Sequence, residues 1–86
     1  MSWNYRVIRI PNGKPGMPGW NAEQPYSFAV HEVHYDDDGA PIGHTVNASD
    51  VSSDTVDGMR WALSAMRRGL KKPVLEDVDG KLVEVR

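Results

Sequence analysis

No cysteine occurs in this chain, and over 86 residues that absence sets the terms on which it can fold. A chain of this length buries only about 60–65% of the surface that its unfolded form exposes, so one thin core is all it can build. Disulfides are excluded, as are thiolate nucleophiles and thiolate metal ligands, and stability must come from packing or from a partner chain, a second copy included. A composition that is 40% hydrophobic and 26% charged is that of a globular protein, neither disordered nor membrane-embedded. The opening Met-Ser-Trp-Asn-Tyr-Arg lacks the apolar run of a signal peptide, and nothing approaches the ~18 apolar residues of a membrane span, which predicts a cytoplasmic protein.

Charge is more informative in its distribution than in its sum. A net charge of −2 argues against a dedicated nucleic-acid binder. Acid gathers at Asp36, Asp37 and Asp38 and again at Asp50, Asp54 and Asp57, whereas Arg60, Arg67, Arg68, Lys71 and Lys72 form one basic end.

Three stretches have strand character. "WNYRVIRI" over 3–10 is rich in β-branched and aromatic residues and stops at Pro11, which has no N–H to give a ladder. "YSFAVHEVHY" over 26–35 is alike, and "DDDG" then supplies a type I turn with Gly39 in the left-handed conformation, returning through "APIGHTVN" over 40–47. A three-residue hairpin loop sets Asp36 opposite Ala40 and hence Glu32 opposite His44, so that Phe28, Val30, Glu32, His34, Ile42, His44 and Val46 share a face; a slip of one residue exchanges the faces.

A helix follows, with Ser53 or Asp54 as N-cap, Asp57 in its first turn and Pro73 ending it. Val56, Met59, Leu63, Met66 and Leu70 step by three and four, which predicts that this stripe faces the core. Gly58 costs about 1 kcal/mol in a helix interior relative to alanine, so a packing reason for it is expected. The tail over 74–86 has two short β-prone runs around Asp79-Gly80, a strong two-residue hairpin signal; it either extends the sheet or hangs from it. Together these elements predict one small α+β domain over 1–86, a three-stranded antiparallel sheet packed on one helix with a C-terminal β-hairpin.

Chemistry is sparsely indicated. The three consecutive aspartates do not have the alternate spacing of a calcium loop, and a solvated turn is the plainer account. Glu32, His34 and His44 would be neighbours on one sheet face in the register above, a weak candidate set for metal or acid–base work, against the simpler alternative of a cross-strand ion pair. No Ser, His and Asp arrangement is suggested, and Gly13, Gly16 and Gly19 do not join a strand to a helix as a phosphate-cradling loop does. A non-enzymatic protein without cofactor or metal is expected.

What stands out is placement. The loop over 11–25, "PNGKPGMPGWNAEQP", is long for a connection between neighbouring strands, and such loops are usually functional or disordered. Met17 and Trp20 within it should dock, on this domain or on another protein. At 100° per residue Trp61 lies about 200° from Leu63, opposite the aliphatic stripe and beside Asp57, Ala65 and Arg68. Trp and Arg dominate interface hot spots, so Trp61 and Arg68, with Asp57 and Ala65 around them and Met17 and Trp20 as additions, are the candidate partner-binding surface; the alternative is that the loop or the tail folds over that face.

"SWNYRV", "HEVHYDDDG" and "KKPVL" together resemble a group of small uncharacterised bacterial proteins that share a W-N-Y-R-V start, an H-E-V-x-Y-D-x-D-G hairpin and a K-P-V-L ending. The likeness spans about half the chain; the 11–25 loop and the residues after Leu75 depart from it. It implies a hairpin-and-helix core and a bacterial source, and carries no catalytic residues. The expected function is a protein–protein interaction module or small regulatory protein, binding a partner or itself through the outer face of its helix. The alternatives are RNA or other nucleic-acid binding through Arg60, Arg67, Arg68, Lys71 and Lys72, or a phage-type inhibitor of the anti-CRISPR kind.

Overall fold

The computed structural model describes residues 2–85. Five strands and one helix follow one another along the chain: β1 (Ser2–Pro11), β2 (Tyr26–Tyr35), β3 (Pro41–His44), α1 (Val56–Leu70), β4 (Leu75–Val78) and β5 (Lys81–Glu84). They form one mixed sheet in the order β3-β2-β1-β4-β5. β1 pairs antiparallel with β2 over its whole length and parallel with β4 through Ile8 and Leu75. The sheet curls until its edge strands β3 and β5 come into contact, and His44 of β3 reaches Asp77 of β4 (Nε2 to Oδ2, 3.2 Å), so that it nearly closes into a barrel.

This corrects the predicted three-stranded antiparallel sheet on one helix: the fold is mostly sheet. The C-terminal hairpin is no appendage, because its first strand gives β1 the second hydrogen-bonded neighbour that it would otherwise lack. Its turn takes the form expected, with Asp79 at φ 53° and Gly80 at φ 86°, both positive as the hairpin twist requires.

Residues paired across strands share a face, which divides β1 cleanly. Asn4, Arg6 and Ile8 point into the curl, where Ile8, Val33 and Leu75 are fully buried with Tyr35 and Leu82 packed against them. Arg6 is buried beside this core: Nη2 donates to the Pro73 carbonyl (2.8 Å) and Nη1 to the Tyr35 hydroxyl (3.0 Å), which in turn donates to Asn4 Oδ1 (2.7 Å). Trp3, Tyr5, Val7 and Arg9 point to the outer face.

The β2–β3 hairpin begins as expected, the Asp36 N–H donating to the Ala40 carbonyl at 2.9 Å, and then departs from the expected register. Tyr35 stands opposite Pro41 but His34 opposite Gly43, leaving Ile42 as an extra residue in a bulge. His44 therefore pairs with Val33, not Glu32, and lies on the inner face.

The helix lies against β1 on the outer face, and its orientation overturns most of the predicted stripe: of Val56, Met59, Leu63, Met66 and Leu70 only Met66 is buried. Ala62, Met66 and Gly69 are buried, whereas Val56, Leu63 and Leu70 are 62, 53 and 60% exposed. The reason is close approach. Gly58, Ala62, Ala65 and Gly69 make a seam of small residues along one side of the helix, and a Cβ at Gly69 would overlap the backbone carbonyl of Tyr5. Leucines on that side would hold the helix off the strand. Gly58 has its packing reason too, since a Cβ there would collide with the Ser53 side chain. The N-cap is Thr55, neither Ser53 nor Asp54, with its hydroxyl accepting from the Gly58 N–H at 3.0 Å.

Candidate binding cleft

Because Trp3 and Tyr5 sit two apart on β1, both project from the outer face beside the seam where α1 lies down. The helix brings Trp61 and, two turns on, Arg68 to the same place, and Lys71 and Lys72 continue from its C-terminus. Between them is a half-open cleft of about 760 Å³, with Ala65 and Gly69 among its lining. Small residues at these two positions let the helix sit low enough for the indoles to stand proud of it.

The aromatic groups form a connected cluster. Trp3 meets Tyr5 edge-on with ring centroids 5.2 Å apart at 88°, and meets Trp61 at 6.4 Å and 68°. Such edge-to-face contacts hold each ring in place at about 0.5–1.5 kcal/mol per pair while leaving faces free. Trp3 is 43% exposed and Trp61 56%, so this chain offers two anchored indoles to the outside. Three cations complete the lining, and no carboxylate is among it.

Trp61, Ala65 and Arg68 thus come together as the sequence predicts, and Trp61 lies outside the core. Asp57 does not line the cleft; its carboxylate takes Arg60 Nη1 at 2.8 Å. Of the basic residues, Arg68, Lys71 and Lys72 line it and Arg60 and Arg67 do not. Met17 and Trp20 are not brought there. Their loop leaves β1 at Pro11, about 27 Å from Trp3 at the rise of an extended strand. It runs through successive tight turns, and half-buried Trp20 lies against Gly13 of the same loop while Met17 stays exposed.

Glu32, His34 and His44 do not cluster. Glu32 and His34 stand opposite Tyr5 and Trp3 on the outer face, and the bulge turns His44 inward, where its ring meets that of His31 edge-on at 5.6 Å. Among the described residues no group of three or more histidine or acidic side chains is placed to hold a metal ion. The aromatic cleft residues that the sequence did not single out are Trp3 and Tyr5, and Asn4 and Gly69 were missed with them. The signal for the two rings was their i, i+2 spacing next to a strand whose other face carries Ile8.

No family model, no curated protein and no solved structure matches this chain. No helix among the described residues is long and apolar enough to cross a membrane.

Proposed function

We propose that this chain is a non-enzymatic binding module that works through the Trp3–Trp61–Arg68 cleft, taking up a short acidic segment of a protein partner that also carries a bulky apolar or aromatic side chain. The carrying observation is the lining itself: three clustered aromatic rings beside three cations and no carboxylate. Indoles at 43 and 56% exposure supply apolar contact at low conformational cost, and Arg68 can donate two parallel hydrogen bonds to a carboxylate.

A second reading, single-stranded nucleic acid, draws on the same juxtaposition, since bases stack on exposed indoles and phosphates pair with lysine and arginine. The protein reading is favoured by the net charge of −2 and by the acid around Asp36 and Asp54, which oppose a polyanion extending past the cleft.

The experiment is capture of partners from bacterial lysate on immobilised protein, with and without nuclease. Trp61→Ala is expected to weaken capture by about thirtyfold or more, as for a hot-spot tryptophan, with the circular dichroism spectrum unchanged. Capture that disappears on nuclease treatment and falls steeply with salt would establish the nucleic-acid reading instead. Unfolding of the Trp61→Ala protein would show the indole to be structural.

A further inference from the structure

The small-residue seam has a second consequence, on the opposite side of the helix from the cleft. With Ala62 and Gly69 turned to the sheet, Val56, Met59, Leu63 and Leu70 form an unpartnered aliphatic ridge along α1. They keep the three-and-four spacing that packs one helix against another.

We propose that this ridge is the interface of a symmetric homodimer in which the two α1 helices pack antiparallel, with the two-fold axis passing beside Leu63. Self-complementarity points to a second copy as the occupant. Val56 and Leu70 lie seven residues to either side of Leu63, so antiparallel pairing about that residue sets Val56 of each protomer against Leu70 of the other and Leu63 against its own copy, as an isologous contact requires.

Charge obeys the same symmetry with its sign reversed. Asp54 and Asp57, the latter already taken by Arg60, lie at the N-terminal end of the helix, and Arg67 lies at the C-terminal end, where Arg68 and Lys71 turn toward the cleft. Antiparallel pairing brings the acidic end of each helix to the basic end of its partner and opposes the two helix dipoles. Parallel pairing would place like charges together.

Area is consistent with a covered face. The chain exposes 6453 Å², against about 5,100 Å² expected of a compact monomer of this mass. The long 11–25 loop shares in that surplus, yet the surplus exceeds the ~800 Å² that each partner gives to a standard interface. The radius of gyration, 14.6 Å against about 12 Å for a compact chain of this length, agrees. Trp61 points about 160° away from Leu63 around the helix, so dimerisation leaves both clefts open and makes the assembly bivalent. The inference stands whether or not the cleft binds what is proposed above.

Sedimentation equilibrium at protein concentrations on the order of 100 μM, above the roughly micromolar Kd of a weak standard interface, tests it. The wild-type chain is expected to sediment at twice its 9.6 kDa mass. Leu63→Glu should raise the dimer dissociation constant by about a hundredfold or more and give the single-chain mass, because each dimer loses two apolar contacts at its centre and gains facing like charges. Since the chain is free of cysteine, Leu63→Cys gives an independent measurement: thiols beside a two-fold axis should join into a covalent dimer on mild oxidation, whereas Trp61→Cys should not. A wild-type chain that sediments as a monomer overturns the proposal. So does a dimer that survives Leu63→Glu, or one that Trp61→Cys crosslinks and Leu63→Cys does not. If Leu63→Glu fails to fold, the crosslinking pattern decides.

Discussion

Leu75→Ala is expected to cost about 3–4 kcal/mol and to lower the melting temperature by roughly 15–30 °C, measured by thermal and urea denaturation of the purified chain. Leu75 is 2% exposed and, with Ile8 and Val33, is one of three fully buried apolar side chains at the centre of the curl among the described residues. In so thin a core few neighbours can move in to fill the cavity. The residue also opens β4, so the same substitution loosens the parallel pairing with Ile8 that attaches the C-terminal hairpin to the sheet. Val78→Ala, on the same strand but 43% exposed, should cost well under 1 kcal/mol. Were the hairpin an appendage, Leu75→Ala would leave the main transition where it is and only release the tail; that outcome would refute the five-stranded sheet.

Gly69→Ala should be nearly as damaging, at about 2–3 kcal/mol, although alanine is the better helix former by about 1 kcal/mol. The added methyl group has no free space: it overlaps the Tyr5 carbonyl group, and Tyr5 Cβ would lie 3.3 Å away. A backbone group in the middle of a ten-residue strand cannot turn aside as a flexible side chain can, so the helix must lift. Lifting it separates Trp61 from Trp3 and should weaken binding at the cleft along with stability. Gly43→Ala is the control, since nothing lies within 4 Å of a Cβ built there, and it should change the unfolding free energy by less than about 0.5 kcal/mol. A Gly69→Ala protein as stable as the wild type would mean that the helix does not sit where the structure places it.

These two residues also mark where the sequence was legible and where it was not. Local signals carried well: the β-branched runs of β1 and β2, the aspartate turn, the helix ending before Pro73 and the Asp79-Gly80 hairpin all lie where their residues place them. Long-range choices did not. Nothing local tells that β4 pairs with β1, because that contact joins residues 67 apart and depends on which edge the crossover helix leaves free. The bulge at Ile42 is one added residue, enough to move His44 from one face to the other and dissolve the Glu32, His34 and His44 set.

The helix was misjudged for a different reason. Apolar periodicity weighs Val56, Leu63 and Leu70 heavily and Gly58, Ala62, Ala65 and Gly69 hardly at all. Close approach to a strand rewards the small residues, and leaves the large ones for another surface. Trp61 was correctly placed outside, yet its neighbours Trp3 and Tyr5 become visible only when β1 and α1 are brought together.

The parallel pairing of β1 with β4 has a consequence for the chain while it is being made. When Ile8 is added to the growing chain, the residue that will flank it in the finished sheet is 67 positions from being translated, a delay of roughly 3–13 s at ordinary elongation rates. Pairing with β2 can begin early, but the opposite margin of β1 stays bare, with its amides and carbonyls unclaimed, until the last hairpin emerges. A nascent chain of this design is exposed to mispairing and to chaperone capture throughout that interval, and the sheet is completed only once residues 75–84 are clear of the ribosome.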